Sequence, residues 1–220
     1  MPIEQWTAGD AYFEGLFIGE DAALQAALAD SNAAELPAIN VTASQGKLLY
    51  LIVKMTGAKN VLEIGTLGGY SAIWMARALP DGGRLTTIEN EKAHAEVAAK
   101  NIVRAGLSDI VEIINSSAIE ALPTLTDRAP FDLFFIDADK ESTAAYFAWA
   151  MKLSRPGSVI VVDNVVRDGE VIDAASEDAD VMGIRRFNQA LANEPRATAT
   201  AIQTVGAKGY DGFAMIVVED

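Results

Sequence analysis

The stretch Val61-Leu62-Glu63-Ile64-Gly65-Thr66-Leu67-Gly68-Gly69-Tyr70-Ser71 constrains the fold more than any other part of the chain. A short, β-rich apolar run ends in a glycine-rich turn, and helical spacing follows from about Tyr70 to Leu79. Strand, tight turn and helix start let a backbone approach a nucleotide-like ligand closely. The turn is not the dinucleotide fingerprint G-x-G-x-x-G, because Thr66 and Leu67 fill the spacing between Gly65 and Gly68. Glu63 is a second departure. A carboxylate at the buried end of a parallel strand is costly unless it meets a cation or a good donor, and a ligand ammonium group is such a partner. A bare βα turn with no ligand has the same look, so the remainder of the chain has to decide.

Beyond this turn, strands and helices alternate. Strands are expected at about Arg84 to Ile88, Val111 to Ile114, Phe131 to Ile136 and Val159 to Val162. Helices are expected at about Glu91 to Ala105, Ser142 to Leu153 and Met182 to Ala192. Two late strands, Ala197 to Val205 and Phe213 to Val218, predict an antiparallel pair at one sheet edge, joined by a loop from Gly206 to Gly212. The pattern is that of an α/β, doubly wound, mostly parallel sheet, in one domain over residues 1–220. Ahead of the glycine turn, residues 1 to about 36 are alanine-rich with helical spacing, and Asp21 is a candidate cap. Trp6, Tyr12, Phe13 and Phe17 read as satellite core packing rather than as a pocket cover or a dimer contact. A further helix follows Ile39–Gly46, capped by Thr42 or Ser44, with Leu48, Leu49, Leu51, Ile52 and Met55 as its apolar stripe.

Composition removes several functions. No cysteine means no disulfide, no thiolate metal site and no thiol nucleophile. A formal charge of −14 repels phosphate backbones, which disfavours a nucleic-acid substrate. No apolar run approaches the ~20 residues of a membrane span, and the N-terminus lacks a leader pattern, so a cytoplasmic location without membrane contact is expected. The single histidine, His94, reads as mid-helix and without a role.

Open α/β sheets bind ligands at the carboxyl ends of their strands. Here those ends carry Glu63 and the glycines, Glu89-Asn90, Ser116-Ser117-Ala118, Asp137-Ala138-Asp139-Lys140 and Asp163-Asn164. Glu89 stands where a carboxylate can accept both hydroxyls of a ribose. With Glu63 taking an amino group, the ligand carries both a ribose and an amino acid end, as S-adenosylmethionine does. Asp137, Asp163 and Asn164 are hard oxygen ligands suited to magnesium, calcium or manganese. Lys140 reads in two ways: a general base whose ammonium form is disfavoured beside a cation, or a solvated lysine at a helix start. Arg167, Arg185 and Arg186 either meet an anionic acceptor or only cap and solvate.

Glu63-Ile64-Gly65-x-x-x-Gly69-Tyr70-Ser71, Asp137-Ala138-Asp139-Lys140 and Asp163-Asn164, in that order, resemble the cation-dependent O-methyltransferases of the caffeoyl-CoA and catechol type. The likeness runs from about Val41 to the C-terminus. It implies a class I methyltransferase, Rossmann-like fold. It implies an S-adenosylmethionine site lined by Val41, Glu63, Gly65, Thr66, Ser71, Glu89, Ala118 and Asp139. It implies a divalent metal, usually magnesium, on Asp137, Asp163 and Asn164, and Lys140 as the base. The acceptor would be a small phenol or catechol. A homodimer is implied, with residues 1–40 near the acceptor pocket or the dimer interface. Asp139 places the chain nearer the plant and bacterial branch than the animal catechol enzyme, which has tryptophan there.

Three rivals remain at this point. A nicotinamide oxidoreductase of the short-chain type needs Tyr-x-x-x-Lys after the glycine turn, and the only such spacing, Tyr50 to Lys54, precedes it. A methyltransferase acting on hydroxyuridine in tRNA is opposed by the charge. A non-catalytic binder of an adenosyl ligand is opposed by the intact Asp137, Lys140, Asp163 and Asn164 set.

Overall fold

The structure, a computed structural model, describes residues 3–220. Three helices lead: α1 (Ile3–Phe17), α2 (Ala22–Ala33) and α3 (Ala43–Thr56). Then β1 (Asn60–Ile64), α4 (Tyr70–Ala76), β2 (Arg84–Glu89), α5 (Lys92–Arg104), β3 (Val111–Asn115), α6 (Ala118–Ala121) and β4 (Leu133–Ile136) alternate. The chain ends with α7 (Thr143–Leu153), β5 (Val159–Asp163), α8 (Ala179–Ala192), β6 (Ala197–Gly206) and β7 (Gly209–Val218).

The seven strands form one sheet in the order β3-β2-β1-β4-β5-β7-β6. β1 to β5 run parallel, while β7 is antiparallel to both β5 and β6. Each apolar strand buries both faces. Val61, Leu85, Phe135 and Val161 face the side covered by α3 and α4. Leu62, Ile88, Phe134 and Val162 face the side covered by α7 and α8. That is why the strands read as nearly unbroken apolar runs rather than as alternating ones.

Chain order reverses between β1 and β4, and the crevice for a ligand lies at the carboxyl edge beside that switch. The register fixes what meets there. Ile64 pairs with Ile88 and with Ile136, and Ile136 pairs with Val162. Asp137 and Asp163 are therefore the next residues on adjacent parallel strands, side by side at the same height. Gly65 (φ +102) lets the β1 turn press onto the tip of β4; a Cβ here would lie 2.0 Å from the carbonyl oxygen of Asp137. Gly183 does the same for α8, where a Cβ would lie 2.2 Å from the carbonyl oxygen of Lys140.

Three expectations need correction. The late strands are longer than their alternation suggests: Val205 pairs with Tyr210 and Gly206 with Gly209, so the Gly206–Gly212 loop shrinks to a turn at Ala207 and Lys208. Backbone pairing there overrides the turn preference of Gly and Asp. On α3, Leu49 and Ile52 are buried, but Leu51 and Met55 are 44% and 74% exposed, so the apolar stripe is only partly a core face. Finally, no residue of α1 is buried. Tyr12, Phe13 and Phe17 lie exposed and in contact with one another, so they are not satellite core. Asp21 and Thr42 do cap α2 and α3, accepting from Leu24 N (2.9 Å) and Gln45 N (3.2 Å).

Candidate active site

Two chambers adjoin at the carboxyl edge. The first, about 570 Å³, is lined by Val41, Gly65, Thr66, Ser71, Glu89, Ala118, Asp137, Asp139, Lys140 and Asn164 among others. The second, about 460 Å³, is lined by Val41, Gln45, Asp163, Asn164 and Lys208, with Asp10, Ile39 and Asn40 from the N-terminal segment. They share Ile39, Asn40, Val41, Asn164 and Arg167.

The wall of the first chamber is built on the β1 turn. Glu89 at the tip of β2 accepts from the backbone N–H groups of Thr66 (3.2 Å) and Leu67 (2.7 Å) through one oxygen, and of Glu91 (2.9 Å) through the other. A carboxylate has about four acceptor positions, so capacity for a ligand hydroxyl remains. His94 also reaches this carboxylate, at 3.5 Å, and lines the chamber. It sits in the first turn of α5, not mid-helix and remote.

Glu63 is fully buried and does not line the chamber. The hydroxyls of Ser71 (2.5 Å) and Thr87 (2.7 Å) donate to its two oxygens, and Thr87 is itself 2.5 Å from the Thr66 hydroxyl. Burial pushes its pKa up to about 8, against the two hydroxyl hydrogen bonds. Glu63 thus sits behind Ser71, which lines the chamber and donates to it.

Asp139 lines the first chamber and caps the short 3₁₀ turn Lys140–Ser142 through Ser142 N (3.1 Å). It also accepts from the Tyr146 hydroxyl, a chamber residue to which no motif or spacing points. Burial raises its pKa, but the hydrogen bonds from Ser142 and Tyr146 outweigh that and hold it below the usual carboxylate range.

At the junction of the chambers stand the tips of β4 and β5. Lys140, 9% exposed, donates to Asp137 Oδ1 at 2.9 Å. Asp163, 6% exposed, accepts from Asn164 N (2.9 Å) and from Gln45 Nε2 (2.6 Å), a contact between residues 118 positions apart. Burial and the neighbouring Asp137 push the Asp163 pKa up to about 7, with Lys140 opposing. Asn164 adopts a left-handed backbone (φ 60) that turns it back toward both chambers. Two acids forced together, with one lysine between them, fit a dication better than they fit each other. No third acidic or histidine ligand joins them among the described residues.

The sequence-derived set is thus gathered in one place, with Glu63 the member set back behind Ser71. The comparisons with known proteins concern the chain as a whole. The O-methyltransferase family model matches residues 20–214. A catechol O-methyltransferase of Mycobacterium tuberculosis is 53% identical over 209 residues, covering 95% of this chain and 94% of that protein. One of Niastella koreensis is 51% identical, covering 96% of each. Among solved structures, the O-methyltransferase of Bacillus cereus in complex with SAH superposes with a TM-score of 0.98 at 54% identity, covering 99% of this chain and 100% of that one. TomG of Streptomyces achromogenes, in complex with SAM, gives a TM-score of 0.96 at 50% identity over the full length of both chains. The oxidoreductase and non-catalytic alternatives fall away, and the chain belongs to the O-methyltransferase family, enzymes that transfer a methyl group to an oxygen.

Proposed function

We propose that this chain is a divalent-cation-dependent catechol O-methyltransferase that draws its methyl group from S-adenosylmethionine. The observation that carries the reading is the register match of Asp137 and Asp163, with Lys140 and Asn164 beside them and the β1 glycine turn pressed onto the same strand tip. The names of the two catechol O-methyltransferase relatives support the acceptor class, and the SAH and SAM complexes of the related structures support the donor.

In this reading the first chamber holds the donor. Glu89, already fixed by three backbone N–H groups, accepts the ribose hydroxyls. Ser71, whose own proton goes to Glu63, accepts from the amino group, so Glu63 acts as a positioning residue. Bound S-adenosylmethionine supplies a sulfonium methyl as the group transferred. Asp137, Asp163 and Asn164 would hold magnesium, calcium or manganese, which supplies positive charge for paired oxygens of a catechol and makes a hydroxyl more acidic. Lys140, in its neutral amine form, takes the acceptor proton at Nζ and becomes the ammonium that pairs with Asp137. Val41 and the 39–40 segment wall off water, and catalysis comes mostly from holding acceptor oxygen and methyl group in line.

The exposed aromatic face of α1 (Tyr12, Phe13, Phe17) is the contact of a homodimer in the same proposal. Its test is sedimentation of the wild type against Phe13→Asp, with a monomeric wild type removing the dimer. The catalytic reading is tested by methyl transfer to catechol in magnesium with and without EDTA. Turnover that chelation abolishes and magnesium restores supports it. Turnover untouched by EDTA removes the cation from the mechanism.

A further inference from the structure

The second chamber carries a cation that neither the donor site nor the proton transfer uses. Lys208 stands at the β6–β7 turn, 45 residues beyond Asp163 in sequence. That turn is pinned over the chamber: Ala207 N donates to Asp10 Oδ2 of α1 at 2.7 Å. From it the Lys208 ammonium reaches across to the backbone carbonyls of Asn40 and Ala38, the latter at 3.5 Å. Those are its only hydrogen bonds among the described residues, so one of its three N–H donors is open.

Its charge is also unanswered. Of the cations around the two chambers, Lys140 is paired with Asp137 at 2.9 Å and Arg167 with Asp180 at 3.0 Å. Lys208 has no carboxylate partner among the described residues; carbonyl dipoles alone hold it. Two of the nearby acids have other loads. Asp10 caps Ala207 N, and Asp211 Oδ1 accepts from the N–H groups of Val166, Arg167 and Gly212. Lys208 is exposed at the chamber rim, where partial burial of the ammonium lowers its pKa and Asp137 and Asp163 raise it; it lines the same chamber as Asp163 and Asn164. An acceptor whose vicinal oxygens sit at those tips extends its ring and substituent into the chamber that Lys208 lines.

We propose that Lys208 is a specificity-determining residue that selects catechols bearing an anionic substituent, a ring or side-chain carboxylate, over neutral or cationic ones. The proposal rests on the catechol reading above. The open N–H and the unpaired charge make a charge-assisted hydrogen bond available to a carboxylate, and the acceptor's own anion then completes the ion pair that the fold leaves unmade. Asp168, exposed on the same chamber wall, is the group that a cationic amine would seek, so the preference between acids and amines has a definite alternative answer.

The experiment compares 3,4-dihydroxybenzoate, catechol and dopamine as acceptors for the full chain with magnesium and S-adenosylmethionine, in the wild type and in Lys208→Met, Lys208→Glu and Lys208→Arg. The wild type is expected to favour the benzoate by kcat/KM. In Lys208→Met the ratio of benzoate to catechol falls by about tenfold, through KM rather than kcat, which is the size of one hydrogen bond to a charged group. Lys208→Arg restores the ratio, and Lys208→Glu turns it toward dopamine. A wild type that prefers dopamine, or a Lys208→Met variant that lowers all three acceptors by the same factor, overturns the proposal and leaves Lys208 as a clamp on residues 38–40. Absence of methylation on any of the three by the wild type overturns the catechol reading itself, an outcome distinct from equal ratios.

Discussion

The two walls of the ligand crevice differ in how fully their polar groups answer one another. On the β1–β2 side, Glu89 is held by three backbone N–H groups and Glu63 by two hydroxyls, with burial raising its pKa. On the β4–β5 side, Asp137 and Asp163 crowd one another and a single lysine pairs with Asp137. The first wall is finished without a ligand and can receive one with little rearrangement. The second leaves one acid without a basic partner, which is where the proposed cation would sit. In that proposal, preorganisation for the donor and the place of the cation lie at opposite sides of one strand switch.

The sharpest way to break this comparison is to remove the incomplete side. Asp163→Ala is expected to lower methyl transfer to catechol by about 10³-fold, the loss of several kcal/mol of charge stabilisation. S-adenosylhomocysteine affinity, measured by calorimetry, should change little, because the first wall is intact; an equal loss of both would deny that the walls act separately. Lys140→Ala should cost about 10²-fold in kcat, the usual range for losing a positioned base. Its kcat should recover as pH rises and the acceptor ionises unaided, and a flat pH profile would take the base role away from Lys140.

Smaller effects appear in stability. Asp163 and Glu63 both hold their protons more tightly folded than unfolded, with folded pKa values of about 7 and about 8. Their contribution to stability is complete below the unfolded values and is lost as pH rises through the folded ones. The metal-free protein should therefore lose thermal stability between about pH 4 and pH 8. Glu63→Gln should flatten the upper part of that fall, at about 2–4 °C in Tm per kcal/mol recovered. Magnesium should raise Tm more at pH 8 than at pH 6, since below about 7 it competes with the Asp163 proton. Scanning calorimetry across this range checks both, and a Tm increment from magnesium that is independent of pH would contradict the Asp163 assignment.

Much of this was legible in the sequence because the proposed ligand residues close or directly follow apolar strands. Asp137 comes after Leu133–Ile136 and Asp163 closes Val159–Asp163, so strand periodicity alone brought them to one edge. Helix caps at Asp21 and Thr42 were equally local. What stayed hidden depends on approach through space. Gln45 meets Asp163 only because α3 lies across the β5 tip, and Lys208 enters the second chamber only because Val205–Gly209 continues the hairpin that glycine and aspartate seemed to end. Glu63 is a subtler case. Its strand-end position is plain in the sequence, but the donors that satisfy it, Ser71 and Thr87, lie on other elements, and no spacing rule reports them. For the exposed face of α1, hydrophobicity was read as burial, although apolar side chains are as much at home against a second molecule.

The central claim is that Asp137, Asp163 and Asn164 share one cation. Titration calorimetry of magnesium into the protein saturated with S-adenosylhomocysteine at pH 8 tests it directly. One ion per chain in the wild type, with binding abolished in both Asp137→Ala and Asp163→Ala, is the predicted result. Magnesium bound with undiminished affinity by either variant, or not bound by the wild type at all, would contradict it.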